Sequence, residues 1–309
     1  MCGIVGLHLR NPALAPRLGE LLTGMLCEMQ DRGADSAGIA VYGDPRWSPA
    51  GHVTVSFVPD ASCVELTTGL AAEVVAGALT TAYGADVAVV DAGPTLVAHV
   101  PGGDAELDRL RTAVKEAFPE ALVAGFGADV AVLKGVGHPR DLAEAYGLPA
   151  AQGWQGVGHT RMATESAVTP GGCHPYAVGP DQCLVHNGSF SNHASIRREL
   201  IAAGAEFDSM NDTEVGARFV ADRLAAGYTV ETALKELLTT FDGFYTLLVA
   251  DGDSFAVVRD AIACKPAVIA EHDDWVAMAS EYRALVGLPG IAEARIYEPE
   301  PERIYAWTR

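Results

Sequence analysis

Met1-Cys2-Gly3-Ile4-Val5-Gly6 opens the chain, and removal of Met1 would leave a thiol and a free α-amine together on Cys2. A thiol attacks a carbonyl only as the thiolate, so it needs a neighbouring group to take its proton. An unperturbed α-amine titrates at about 7.7 to 8.0, close to the optimum for a general base near neutrality. Cys2 is therefore a candidate nucleophile that carries its own base. The competing reading is a small hydrophobe at the start of a buried strand.

Outward from that hexapeptide, Cys2 to Leu9 reads as a buried strand. Leu14 to Gln30 reads as a helix with Leu18, Leu21, Leu22, Met25 and Met29 on one face, ended at Arg32-Gly33. Ile39 to Tyr42 is a short strand before a Gly/Asp/Pro/Ser-rich loop, Gly43 to Gly51. The next stretch alternates differently. A strand (53–58), a helix (61–81), two strands (87–90 and 96–100), a helix (105–118) and a strand (121–124) give the β-α-β-β-α-β order of a ferredoxin-like unit, or else an irregular α/β excursion. Strands resume at 130–133, 155–159 and 182–185, followed by helices at 192–203, 212–226 and 229–238. Four short apolar strands from Gly243 to Ala279, separated by Asp-rich turns, predict an antiparallel meander.

With 309 residues, 49% of them apolar, and a mean hydropathy of +0.16, the chain can bury a large core. Its net charge of −19 argues against nucleic acid or an anionic membrane as partner, since both demand basic surface. The most apolar stretch, Gly69 to Val100, is interrupted by Glu73, Asp86 and Asp91, so no membrane span is expected. Six cysteines without a CxxC pair and the absence of a signal-peptide pattern point to the cytoplasm. Cys183, His186 and His193 have a zinc-like spacing, but nothing completes a tetrahedral set, so no metal site is expected.

Five motifs follow one another: Cys2-Gly3-Ile4-Val5-Gly6, Arg32-Gly33-Ala34-Asp35-Ser36-Ala37-Gly38, Gly158-His159-Thr160-Arg161-Met162-Ala163-Thr164, His186-Asn187-Gly188 and Asp212-Thr213-Glu214. Their order resembles that of class II glutamine amidotransferases, a family of N-terminal-nucleophile hydrolases. Cys173-His174-Pro175, Arg259-Asp260 with Lys265-Pro266, and Ala279-Ser280-Glu281 are secondary matches. The resemblance covers Cys2 to about Tyr42 and Asp129 to about Tyr305. About 120 residues separate Gly38 from Gly158, which lie much closer in the family. It implies a four-layer αββα fold, α/β (α+β) in class, over residues 2–309, interrupted by an inserted α/β module at 44–127.

Each motif has a physical task. Glutamine hydrolysis passes through a tetrahedral oxyanion, for which the Asn187 amide and the Gly188 N–H are candidate donors; the competing reading is an Asn-Gly hairpin turn. A free amino acid presents a carboxylate, which Arg161 can grip in a planar fork, and an ammonium, which Asp212 can meet. Asp212 could equally be a helix N-cap. The resemblance also implies Thr164 as a supporting polar contact and Arg32 as an organiser of the loop around Cys2. His174 and His186 are read as structural, because an N-terminal amine makes a histidine base unnecessary.

Amidotransferases of this class couple ammonia release to a synthase. About 28 residues follow Glu281, too few for a synthase domain, so the acceptor is expected on partner subunits. The arrangement is most similar to the separate amidotransferase subunit of N-methylglutamate synthase and glutamate-synthase-like complexes. That implies glutamine as substrate, no cofactor on this chain, and FMN and iron–sulfur centres on partners. Two alternatives stand beside it: a stand-alone amidohydrolase of glutamine or a γ-glutamyl compound, and a non-catalytic scaffold subunit.

Overall fold

Every residue of β1 (Gly3–Leu9) is buried, because this strand runs through the middle of a sheet with apolar layers on both faces. The structure, a computed structural model, describes residues 2–62, 64–162 and 168–309. Successive side chains point to opposite faces of a strand. Val5, Leu7 and Leu9 accordingly join one core, with Leu18, Leu22, Met25 and Leu26 of α1 (Leu18–Cys27). Ile4 joins a second core, which lies between two sheets. Gly6 also faces that gap: a Cβ there would stand 2.5 Å from Leu248 Cδ1 and 2.8 Å from Phe255, so glycine lets the two sheets close.

The first sheet has seven strands, in the order β14 (Arg295–Tyr297), β12 (Val268–His272), β13 (Trp275–Ala279), β1, β8 (Gln155–Arg161), β2 (Ser36–Tyr42) and β7 (Val130–Val136). The second has four: β15 (Tyr305–Thr308), β11 (Ser254–Arg259), β10 (Gly243–Ala250) and β9 (Cys183–Phe190). All pairings in both are antiparallel. On the outer side of the first sheet lie α1 and α4 (Pro139–Ala145). On the outer side of the second lie α5 (His193–Ala202), α6 (Asp212–Ala225) and α7 (Val230–Thr240). The result is the four-layer αββα arrangement.

The inserted module is a third sheet, β4 (Ala88–Ala92), β5 (Thr95–Pro101), β3 (His52–Val58) and β6 (Leu122–Gly127) in spatial order, again antiparallel throughout. With α2 (Ala72–Tyr83) and α3 (Asp104–Ala117) on one face around Val55, Phe57, Leu79 and Leu110, it is a ferredoxin-like unit. Its other face covers the edge of the seven-stranded sheet. Ser56 Oγ accepts from Val132 N at 3.0 Å, and Thr95 Oγ1 bonds both Lys134 N and Lys134 O. Side chains of the module thus satisfy the outward backbone groups of β7, which would otherwise be an open edge.

Four expectations change. The 14–30 helix is a 3-10 turn over Pro12–Arg17 followed by α1, because Pro16 removes a backbone donor within that first segment. The 61–81 helix starts only at Ala72: Asp60 caps a turn at Ser62, and Gly69 takes φ +65°. The Gly243–Ala279 meander is split, β10 and β11 lying in one sheet and β12 and β13 in the other. The N-cap of α6 is Asn211, whose side chain accepts from Thr213 N, and Asp212 is the first helical residue. Among the described residues no helix is long and apolar enough to cross a membrane.

Candidate active site

Gly3 pairs with Thr160 across β1 and β8, so the register extended by one residue sets Cys2 opposite Arg161. Directly opposed residues in an antiparallel pair share a face. Both positions lie on the face turned to the second sheet, with Ile4 and Val157. On β9 the alternation turns Cys183, Val185 and Asn187 into the same gap from the other side, while Leu184 and Phe190 pack toward α6. Residues from three of the five motifs therefore meet at one end of the space between the sheets.

The contacts at residue 2 are specific. The Cys2 carbonyl accepts from Arg32 Nε at 3.0 Å and from Asn187 Nδ2 at 3.2 Å. Asn187 is 4% exposed, and its amide carries two N–H groups, so one remains to donate elsewhere. The Cys2 side chain is part-exposed.

Arg32 is fixed from three sides. Its turn is tied to β8 by Thr160 Oγ1, which donates to Met29 O at 3.1 Å. Glycine at position 3 permits that approach, since a Cβ would stand 2.8 Å from Thr160 Oγ1 and 2.9 Å from Met29 Cβ. Arg32 Nη1 pairs with Glu281 at 2.8 Å; Glu281 also holds Arg283, which reaches Asp31. Ser280 Oγ accepts from Ile4 N at 2.9 Å. The residue types of Ala279-Ser280-Glu281 announce no task of their own. Their partners are about 250 or more positions away, so only the motif itself could have flagged them.

Gly188 holds φ +146°, and a Cβ there would lie 2.0 Å from Phe244 O on the paired strand. Because a backbone atom is the obstacle, the strands would have to move. Gly188→Ala is expected to destabilise the fold by about 3 kcal/mol, read as a lower urea midpoint with far-ultraviolet dichroism retained.

Arg161 is buried, and its guanidinium lies against Gly172, where a Cβ would meet Nη1 at 2.9 Å. Gly33 crosses its backbone at a distance no side chain would allow. Asp212 Oδ2 accepts from Phe190 N at 2.8 Å, which ties the start of α6 to the end of β9. Glu214, buried in the first turn of α6, accepts from the N–H groups of Asp208 and Ser209 and from Arg218, and so fixes the loop leading to Asp212. Thr164 lies outside the described residues.

Behind the site three imidazoles form a stack: His159 and His174 with centroids 4.0 Å apart, His174 and His186 at 6.4 Å. Burial holds all three toward the neutral form, His159 down to about 3 and His186 to about 4, with His174 well below its ordinary value. His186 Nδ1 bonds Thr213 Oγ1 at 2.9 Å. The unfolded chain binds protons on these groups below about pH 6.5, before the folded chain does. Stability is therefore fully present above that pH and is lost progressively as pH falls from about 6.5 toward the folded values. Urea midpoints measured between pH 7 and pH 5 should drop, each histidine contributing up to about 1.4 kcal/mol per pH unit.

Cys183 and His186 lie on opposite faces of β9, three residues apart, and cannot share an ion. Among the described residues no group of three His, Cys, Asp or Glu side chains is placed to hold a metal. Cys173 is buried, its thiol directed to Thr169 O and Gly135 O, and burial pushes it up, away from the reactive thiolate. Cys63 lies outside the described residues.

A glutamine amidotransferase domain family matches residues 159–287. The chain is 46% identical over 307 residues to the glutamine amidotransferase-like protein GlxB of Rhizobium meliloti, covering 99% of this chain and 98% of that one. A putative glutamine amidotransferase of Methanothermobacter thermautotrophicus is 29% identical over 99% of both chains. Among solved structures, the glutamine phosphoribosylpyrophosphate amidotransferase of B. subtilis superposes with a TM-score of 0.60 at 18% identity, over 99% of this chain and 47% of the other. That likeness shows a shared fold, and the present chain spans about half the solved protein's length. Through the extent and level of its identity to GlxB, the chain belongs to the glutamine amidotransferase family.

Proposed function

We propose that this chain hydrolyses the side-chain amide of glutamine through Cys2 and passes the ammonia to a synthase on partner subunits. The observation that supports it most is the meeting of the Asn187 amide and the Arg32 guanidinium on the Cys2 carbonyl, with Arg161 on the opposing strand position. With Met1 removed, the α-amine would take the thiol proton, and the thiolate would attack the amide carbon. The resulting oxyanion would be met by the second Asn187 N–H and the Gly188 N–H. Collapse would expel ammonia, with the proton returned by the α-ammonium, and leave a γ-glutamyl thioester. Water, deprotonated by the same amine, would release glutamate and regenerate the thiol.

In this reading Arg161 holds the substrate carboxylate, Asp212 meets the ammonium through Oδ1, Thr164 supports the carboxylate, and Arg32 orders the turn. Arg161→Lys keeps the charge but loses the planar fork. It should raise the glutamine KM by roughly tenfold to a hundredfold, with a much smaller change in kcat, measured as initial rates of ammonia release.

The partner we infer is a synthase of N-methylglutamate synthase or glutamate synthase type, bearing the FMN and iron–sulfur centres that this chain is not expected to hold. Exposed apolar side chains adjoin the site residues in a way that suits a covered surface: Met162 follows Arg161, Met210 precedes the α6 cap, and Tyr282 follows Glu281. Purification from the native cell with mass spectrometry of stoichiometric companions tests it. Flavin- or iron–sulfur-binding companions are expected; a solitary chain with full glutaminase activity would overturn the split arrangement in favour of a stand-alone amidohydrolase.

A further inference from the structure

A cavity of about 500 Å³ lies where the inserted module meets the amidotransferase core, between α3 and β6 of the module, the 171–178 segment, and the loop leading into α6. Its volume suits a metabolite-sized molecule. Lys134, on β7, reaches it from the core side. This side chain is 2% exposed, and among the described residues its ammonium makes no hydrogen bond; it lies over the Tyr176 ring, 4.7 Å from the centroid, in the field of Glu214 and Asp208. Removing an ammonium from bulk water is costly, and the ring quadrupole and the two carboxylates offset part of that cost. Burial brings the amine down to about 8, so much of it is still charged near neutrality.

Arg111 reaches the same cavity from the module. Its guanidinium carbon stacks 3.9 Å over Phe126, one Nη donates to Asp108, and its Nε is buried with no partner. The carboxylates on the facing wall are already engaged: Glu214 accepts two backbone N–H groups, the Ser209 hydroxyl and Arg218, and Asp208 pairs with Arg218. Glu206, exposed to solvent, also lines the cavity; the donors without an acceptor are Lys134 Nζ and Arg111 Nε, one from each side of the junction.

We propose that this cavity is a second ligand site, separate from the one at Cys2, which takes a small organic carboxylate between the Lys134 ammonium and the Arg111 guanidinium. The Lys134 ammonium and the unpartnered Nε of Arg111 would each meet one oxygen of a carboxylate. A phosphate dianion would instead place more charge against Asp208 and Glu214. A bound carboxylate would tie the module to the core, since Lys134 and Arg111 belong to different sheets' layers. It would also sit beside the 171–176 segment, whose Gly172 abuts the Arg161 guanidinium.

Succinate is a suitable probe. Thermal unfolding of the full chain should shift upward by a few degrees, saturably, in succinate relative to chloride at matched ionic strength. The shift should vanish in Lys134→Met and in Arg111→Met, and persist in Cys2→Ala. Trinitrobenzenesulfonate should modify Lys134, one of four lysines in the chain, and succinate should slow that modification, read by peptide mass spectrometry. The Arg111 side chain is 41% exposed, so Arg111→Met decides the matter if Lys134→Met does not fold. A succinate effect no larger than chloride's, or one that survives in Arg111→Met, would overturn the site. Loss of the shift in Cys2→Ala would overturn its separateness. Inorganic phosphate acting as strongly as succinate would overturn the carboxylate assignment.

Discussion

Cys2→Ala is expected to lower glutamine hydrolysis by at least about a thousand-fold while leaving the fold intact. The size follows from the role: without the thiol there is no covalent intermediate, and only oxyanion stabilisation and positioning remain to assist water. The fold should be indifferent because Cys2 precedes β1 and its side chain is part-exposed. The contacts made at residue 2, from Arg32 and Asn187, go to its main-chain carbonyl, which alanine retains. Unchanged thermal midpoints with lost ammonia release would distinguish this from unfolding. Wild-type rates in the variant would remove Cys2 from the chemistry. The same assay on protein whose intact mass shows Met1 still attached gives a second check, since the α-amine proposed as base would then be an amide nitrogen. Such protein should be as inactive as the alanine variant.

The layers of the fold were legible where local pattern and burial agree. β1, β3, α3 and α6 lie within two residues of their expected bounds, and the β-α-β-β-α-β string of the module proved to be its actual order. Where the sequence misled, a tertiary fact was missing. Strands β10 to β13 look like one continuous meander because hairpin turns are local, but the change of sheet between Arg259 and Val268 is made by Asp260. Its Oδ1 accepts from Tyr245 N, and its Oδ2 accepts from the Ile262 and Ala263 N–H groups. Nothing in the short-range pattern announces that corner. The helix expected at 61–81 lost its first half because Ala61, Leu66 and Leu70 are apolar enough to satisfy a helical period while Asp60 and Gly69 bend the backbone out of it.

The candidate site was legible in its members and not in its supports. Arg32, Arg161, Asn187, Gly188 and Asp212 each stand in a short motif whose residue types suit a stated task. Ser280 and Glu281 act through partners that are remote in sequence, and Glu214 and the histidine stack through burial that no spacing reveals. Gly38 is the clearest case. In the sequence it is the last letter of a motif; in the structure a Cβ there would lie 2.0 Å from His174 O, so it is what lets the Cys173-His174-Pro175 segment pass over β2. The module illustrates the reverse. Its polar inward residues, Thr54, Ser56 and Thr95, look like ordinary solvent-facing positions of alternating strands, yet all three are fully buried. Ser56 and Thr95 complete the edge of β7, and Thr54 bonds Trp47 O. The insertion is therefore fitted to the core by hydrogen bonds as well as by apolar contact, which favours a fixed junction and a formed cavity over a loosely tethered appendage.

Asn187→Ala should lower kcat by roughly a hundred- to a thousand-fold with little change in the glutamine KM, because an oxyanion donor acts on charge that exists only in the transition state. The opposite split would follow if Asn187 merely held the ground-state substrate. A third outcome has to be separated from both. The Asn187 amide donates to the Cys2 carbonyl, so its loss could displace the nucleophile and depress every rate that depends on Cys2. Arg32 makes a second, shorter bond to the same oxygen, and Gly3 and Ile4 remain bound to β8 and Ser280, so residue 2 should stay in place. Alkylation of Cys2 by iodoacetamide, which forms no oxyanion, reads that position directly. Near-wild-type alkylation with a collapsed kcat would assign Asn187 to the oxyanion. Alkylation that falls in step with kcat would reduce it to a residue that positions Cys2.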